Sequence, residues 1–318
     1  MKVLSLFDGM SCGQIALKKA GIPVTKYFAS EIDKHAIKVT QENFPDTIQL
    51  GSVTDVTTDQ VGEIDLLIGG SPCQGFSFAG KNLNFDDPRS KLFFEYVRLL
   101  KELKPKYFLM ENVRMSKKSQ DIISEHLGVE PIVINSNLVS AQNRHRLYWT
   151  NIPFDMPTDK GIVLSDIIEG GVVDRDKSHC LDANYFKGGN LKSYFRKNRR
   201  QLVFDSPDAL FCASIVGRKI NHETGKRDDN NPDLPMVQRL EIQSDGHIKT
   251  GALSTITKDN VLTDTKRWRN LTPLECERLQ TVPEGYTNHV SNTQRFRMLG
   301  NGWTVDVIKA IFGGLNNG

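Results

Sequence analysis

Cysteine is scarce in this chain. There are five, at positions 12, 73, 180, 212 and 276, with no CxxC pair among them. An odd, scattered set argues against a disulfide framework and against a structural zinc site, and fits a reducing compartment; no metal is expected. Long apolar runs are missing too. None approaches the ~20 residues needed to span a bilayer. The opening MKVLSLFDGMSCG has too short an apolar run for a signal peptide and meets a glycine turn at once. The expectation is a cytoplasmic protein with no membrane partner. Charge of one sign is also lacking. Forty-one Lys and Arg face 38 Asp and Glu, a net charge of +3, so any nucleic-acid partner would have to meet a local basic face. There is no internal repeat, no low-complexity tract and no GxGxxG, which removes the main signal for a nicotinamide-linked oxidoreductase.

What remains is an ordinary globular composition, 38% hydrophobic and 25% charged over 318 residues. That is enough for a substantial core without cross-links, in one large domain or two moderate ones. In the first half, strand and helix patterns alternate. Strands are predicted at 2–7, 24–30, 64–69, 107–111, 132–135 and 146–150, and helices at 13–20, 33–44 and 90–103. This alternation predicts an α/β fold with a doubly wound, mostly parallel sheet. From about Pro153 to Trp268 the chain turns polar and irregular. Helical patterns return at 272–280, with Thr272 as N-cap and Pro273 just inside, and at 304–312. The interval between Glu111 and Gln142 is short, and few elements are expected there. The predicted division is 1–155 plus 299–318 as one domain and 156–298 as a smaller, irregular one.

Five segments carry chemistry. FDGMSCG (7–13) sits at a strand-to-helix turn, where small residues let a ligand approach the backbone and a helix N-terminus. SEID (30–33) ends the second strand. An acid there commonly holds ribose hydroxyls, so Glu31 can take a ribose and Ile32 can pack an adenine. In GSVTDV (51–56), Asp55 can accept from an adenine amino group. IGGSPCQGFS (68–77) follows a strongly apolar strand and places Cys73 on a loop at the strand's carboxyl end, where α/β enzymes keep reactive groups. MENV (110–113) puts Glu111 at the same sheet edge, and a carboxyl group near a thiol suggests acid-assisted covalent attack. In QNRHR (142–146), Arg144 and Arg146 alternate, so both point to one side of an extended segment. Singly, a structural glycine turn, a buried cysteine or a solvated charge would explain most of these.

In this order, the cofactor turn, SEID, GSVTD, SPCQGFS, ENV, QNRHR, RNLTPLECERLQ (269–280) and LGNGWTV (299–305) resemble the DNA (cytosine-5) methyltransferase family. The likeness covers about two-thirds of the chain. Phe7-Asp8-Gly9 and Trp303 are closer to the animal de novo enzymes, whereas the small size is bacterial or phage-like. The resemblance implies a Rossmann-like methyltransferase sheet with a target-recognition domain, and S-adenosylmethionine as cofactor. It implies a cofactor site of Phe7, Asp8, Gly9, Met10, Glu31, Ile32, Asp55, Val56, Pro72, Leu92, Asn301 and Trp303. It also implies Cys73 as nucleophile, Glu111 contacting ring N3 and the exocyclic amine, and Arg144 and Arg146 steadying the base. Trp303 replaces a small residue found in many bacterial members.

The implied partner is double-stranded DNA. A cognate restriction endonuclease acting on the same site fits the family, and a monomer is expected. The region at about 158–268 would read DNA sequence. YFRKNRR (194–200) is basic with aromatics, so Arg196 and Arg199 are candidate phosphate contacts. Thr255 and Thr257, in GALSTIT, and Gln74 and Ser77, beside Cys73, are further candidate DNA contacts. Two alternatives stay open: a tRNA cytosine-5 methyltransferase, although its Cys-Phe-Thr signature is missing, and a catalytically silent DNA-binding subunit.

Overall fold

A computed structural model of the chain describes residues 1–72, 88–189, 194, 197–205, 212–219, 231–234, 236–242, 260–262 and 268–317. They form two compact units: Met1–Ile167 with Asp176–Gly188 and Thr272–Gly318, and Ile168–Arg175 with Gly189–Leu271.

The larger unit is built on one sheet of β1 (Lys2–Leu6), β2 (Lys26–Ser30), β3 (Ile48–Gln49), β4 (Leu66–Gly69), β5 (Tyr107–Val113), β6 (Ile132–Asn135) and β7 (His145–Thr150). The strand order is β3-β2-β1-β4-β5-β7-β6. Pairing is parallel from β3 through β5, and β7 runs antiparallel to both its neighbours. The mostly parallel α/β expectation therefore holds. β1 and β4 are central and almost wholly buried, which is why they read as mostly apolar runs and not as alternating ones.

The helices are α1 (Cys12–Lys19), α2 (Lys34–Asn43), α3 (Thr58–Val61), α4 (Pro88–Leu103), α5 (Lys117–Leu127), α6 (Pro273–Leu279), α7 (Asn292–Asn301) and α8 (Val305–Gly313). α1 packs against α8. α4 supplies Phe93, Tyr96, Val97 and Leu99, and α5 supplies Ile123 and Leu127, to a core shared with Leu4, Leu6, Leu67, Phe108, Met110 and Trp149. α6 starts with a reciprocal cap: Glu275 N donates to Thr272 Oγ1 at 3.2 Å and Thr272 N to Glu275 Oε2 at 2.7 Å.

Three helices escape the sequence reading: α3, a single turn of four residues, and, for a shared reason, α5 and α7. α5 fills the interval expected to hold little, yet buries only Ile123, Ser124 and Leu127. α7 buries only Met298, Leu299 and Gly300, at one end. Stripes that thin give little helical periodicity. The unit boundary also differs from the predicted one. Residues 272–298 belong with the larger unit, because Gln280 joins them to it. Its Nε2 donates to Leu299 O at 2.6 Å and its Oε1 accepts from Gln142 Nε2 at 3.2 Å and Thr304 Oγ1 at 2.8 Å.

The smaller unit carries β8 (Leu202–Phe204), paired antiparallel with β12 (Trp268–Asn270), and a second sheet in which β9 (Cys212–Lys219) is flanked antiparallel by β10 (Met236–Ile242) and β11 (Asn260–Leu262). Tyr194, Leu202 and Phe204 form its small core with Val172 and Trp268. The Tyr194 hydroxyl donates to Asp174, and the Arg175 guanidinium lies 4.8 Å from the centre of the Tyr194 ring. Among the described residues no helix is long and apolar enough to cross a membrane.

Phe93 is fully buried where α4 meets the sheet. Phe93→Ala is expected to lower unfolding free energy by about 3–5 kcal/mol, through lost burial and an unfilled cavity. Urea denaturation checks this: the midpoint should fall with the slope unchanged.

Candidate active site

The order of the sheet reverses at β1, which has β2 on one side and β4 on the other. Ligands of doubly wound sheets bind at the carboxyl ends of strands beside such a reversal. A cleft of about 410 Å³ opens there, lined from the ends of β1, β2, β4 and β5, from β7, and from the α7–α8 corner.

The turn after β1 forms one wall. Phe7, Gly9 and Ser11 all have positive φ, at 57°, 59° and 59°. A Cβ on Gly9 would meet nothing within 4 Å, so backbone conformation and not space calls for glycine there. Glu31 braces this turn. Its Oε2 accepts from Gly9 N at 2.8 Å, and its Oε1 from Ile32 N at 2.7 Å and Asp33 N at 2.8 Å. Ile32 beside it is 77% exposed and lines the cleft, an apolar surface left open to a ligand. Asp8 accepts from Tyr27 Oη at 2.8 Å and from the Ser11 hydroxyl. Burial pushes its carboxyl from the usual 3.8 up to about 6; the bonds from Ser11 and Tyr27 oppose the rise and the charge of Glu31 adds to it.

The opposite wall carries Glu111, which is almost fully buried at the end of β5. Arg146 Nε lies 3.1 Å from its Oε1. The register explains the pair: Glu111 faces Tyr148 and Val113 faces Arg146 across β5 and β7, so Glu111 and Arg146 are diagonal neighbours. Trp303 Nε1 donates to the other oxygen, Oε2, at 3.0 Å. Asn112 Nδ2 reaches Ser71 Oγ at 3.2 Å, joining the ends of β5 and β4.

Arg144 lines the cleft but is already engaged. Its Nη1 donates to Leu181 O at 2.9 Å and Cys180 Sγ at 3.3 Å, and its Nη2 to Gly302 O at 2.9 Å and Gly300 O at 3.1 Å. Burial first, then the like charge of Arg146, holds its pKa below the usual arginine value. Both arginines approach the Cys180 sulfur, in accord with the expectation that they share a side.

Of the sequence-derived candidates, Phe7, Asp8, Gly9, Met10, Glu31, Ile32, Pro72, Glu111, Arg144, Arg146, Asn301 and Trp303 all line this one cleft. Four others are elsewhere. Asp55 is exposed on the 3-10 turn Val53–Asp55, where its Oδ1 accepts from Thr54 Oγ1 at 3.1 Å. Val56 and Leu92 point into or against the core. Arg199 is exposed on the smaller unit. Cys73, Gln74, Ser77, Arg196, Thr255 and Thr257 lie outside the described residues. Sequence reasoning missed Cys12, Asn112, Gln294, Arg297 and Met298, which also line the cleft. Only the nearness of the last three to LGNG, in sequence, signals them.

Over residues 1–317 the chain matches the family described as C-5 cytosine-specific DNA methylase. It is 31% identical to the Type II methyltransferase M1.ScrFI of Lactococcus lactis subsp. cremoris, covering 98% of this chain and 76% of the relative. It is 36% identical to the orphan methyltransferase M.SPRI of Bacillus phage SPR over 49% of this chain and 38% of that protein. Its fold is similar to that of a Spodoptera frugiperda DNMT2 variant, with a TM-score of 0.65 and 20% identity over 99% of both chains.

Asp8 makes stability depend on pH. Between about pH 4 and 6 the folded chain keeps a proton there that the unfolded chain has released, so this group's contribution is lost as pH rises through the window. Asp8→Asn is expected to raise the urea midpoint over wild type above about pH 6, with a gain that shrinks towards pH 4. A gain that does not vary with pH would assign the effect to another group.

Proposed function

The chain belongs to the C-5 cytosine-specific DNA methylase family and is a DNA (cytosine-5) methyltransferase, and from that premise we propose that it transfers methyl from S-adenosylmethionine to a flipped-out cytosine through a covalent Cys73 adduct. One observation carries this reading: a buried carboxylate, Glu111, held at both oxygens, shares a single cleft with a glycine turn, a ribose-type acid and an open apolar wall.

The cleft suits the cofactor. Its volume falls in the range of small-molecule sites. Ile32 offers a face for an adenine, Glu31 retains lone pairs for ribose hydroxyls, and the turn at Phe7, Asp8, Gly9 and Met10 offers backbone to the methionine end. Pro72, Asn301 and Trp303 complete the lining. Asp55, Val56 and Leu92 do not line the cleft, so they are not included. When bound, the cofactor supplies a methyl group on a sulfonium.

Cytosine carbon 5 is a weak nucleophile. Addition of the Cys73 thiolate forms a sulfur–carbon 6 bond, breaks the 5,6 π bond and places its electron pair on carbon 5, which becomes nucleophilic. Glu111, in contact with ring N3 and the exocyclic amine, favours that addition. Arg146 keeps the Glu111 carboxylate in place and lies where it can steady the base. Arg144 has most of its donors on main-chain carbonyls, so its part is to hold the site together. After methylation, loss of the carbon-5 proton and departure of the thiolate restore the aromatic ring. The target must leave the duplex for this chemistry. Reading the DNA sequence falls to the smaller unit, where Arg199 is exposed.

The test is methyl transfer from isotope-labelled S-adenosylmethionine to unmethylated duplex DNA, with tRNA in parallel, followed by bisulfite sequencing. Label in DNA at cytosine in one short context is expected; label in tRNA alone overturns the reading. Cys73→Ala should abolish transfer and leave cofactor binding intact. Glu111→Gln should slow turnover by about 10²–10⁴-fold while DNA affinity changes little; equal loss of both would mean a structural role.

A further inference from the structure

The proposed mechanism leaves one bond of the site unused. Trp303 Nε1–H donates to Glu111 Oε2 at 3.0 Å, on the oxygen that Arg146 does not hold. The two residues come from distant segments, 192 positions apart. Gly70, at the end of β4, lies directly beneath them. A Cβ there would fall 3.1 Å from Glu111 Oε2 and 3.1 Å from Trp303 Nε1, closer than such atoms normally approach. Gly70 thus leaves room for the pair.

We propose that Trp303 is a positioning residue for Glu111, fixing the plane of the carboxylate through its indole N–H, in addition to walling the cleft with its ring. This rests on the assignment of Glu111 to the reacting base. A free carboxylate on a glutamate side chain rotates about its last bond. Here one donor on each oxygen removes that freedom before any base arrives, which is the preorganisation that favours charge movement at a fixed place. The backbone of Trp303 is itself secured, because the Gly302 carbonyl before it accepts from Arg144 Nη2 at 2.9 Å. The chain from Arg144 through the α7–α8 corner to Trp303 therefore ends on the proposed acid.

The test separates the N–H from the ring. Trp303→Phe keeps an aromatic wall and deletes the donor. With Trp303 assigned to Glu111, this variant should lose about tenfold or more in kcat while cofactor affinity stays within about twofold. A variant that loses cofactor affinity and keeps kcat would make Trp303 a cofactor wall alone and overturn the proposal. The second readout does not need activity. The chain has three tryptophans, at 149, 268 and 303, so the indole region of a 15N-labelled sample holds three signals, and Trp303→Phe identifies one. Glu111→Gln should move the Trp303 signal and leave that of Trp149, whose N–H donates to Ser124 Oγ at 3.0 Å. A Trp303 signal unmoved by Glu111→Gln overturns the pair whatever the substrate. Failure of the wild type to label duplex DNA, with the signal moving as expected, overturns the substrate reading and keeps the pair.

Discussion

One buried guanidinium joins the parts of the site. Arg144 is 4% exposed, and an arginine cannot shed its charge to escape burial. Its position is tolerable only because four donors meet acceptors: the carbonyls of Leu181, Gly300 and Gly302 and the sulfur of Cys180. Each acceptor belongs to a different stretch from Arg144 itself, so the requirement to satisfy one charge becomes a requirement on tertiary structure. Remove the α7–α8 corner and Arg144 is left buried with two main-chain partners missing. Remove Arg144 and, among the described residues, the neutral bonds of Gln142 and Gln280 are what is left to tie Gly302 to the segment before β7. Gln142 and Gln280 reinforce the same seam with neutral bonds. The face of the cleft that carries Trp303 and Asn301 depends on this seam.

Much of the larger unit was legible because its physics is local. Parallel strands buried on both faces are mostly apolar, and the predicted strands at 2–7 and 64–69 are, with Lys2, Ser5 and Asp65 as their polar positions. Thr272 and Pro273 marked the start of α6 at its true place. α5 and α7 were illegible because each buries so few side chains that its amphipathic signal is thin. The boundary of the smaller unit was illegible for a different reason: a polar composition does not reveal which neighbour a segment packs on. Tertiary partners assign these stretches to the larger unit, among them those of Gln280 and of Lys177, whose ammonium meets the carbonyls of Asn137, Ser140 and Ile162.

The site shows the same division. Residues at or just past the carboxyl end of a strand, such as Glu111 in β5 and Glu31 after β2, were readable, since the sheet alone places them. Asp55 and Val56 were read as cofactor contacts, but the 3-10 turn that holds them sends one side chain to solvent and the other to the core. Arg144 and Arg146 looked equivalent in sequence. In space one faces Glu111 and the other is bonded to main chain, a distinction set by the distant Gly300–Gly302 segment. Trp303 was visible as an unusual residue, but its partner across the cleft was not.

The packing of α1 on α8 has a consequence for how the protein comes to be folded. Lys19, at the end of α1, bonds Asp306 at 2.9 Å across 287 positions. At a translation rate of about 5–20 residues per second, that separation amounts to roughly 15–60 s. Throughout that interval α1 has emerged without its partner, with the apolar face of Ile15, Ala16 and Leu17 uncovered. The proposed cofactor cleft is likewise incomplete until Asn301 and Trp303 are made. A fold closed by its most distant contacts forms late and slowly. Over that interval the uncovered face must be kept from aggregating, and the cleft is complete only once the α7–α8 corner has been made.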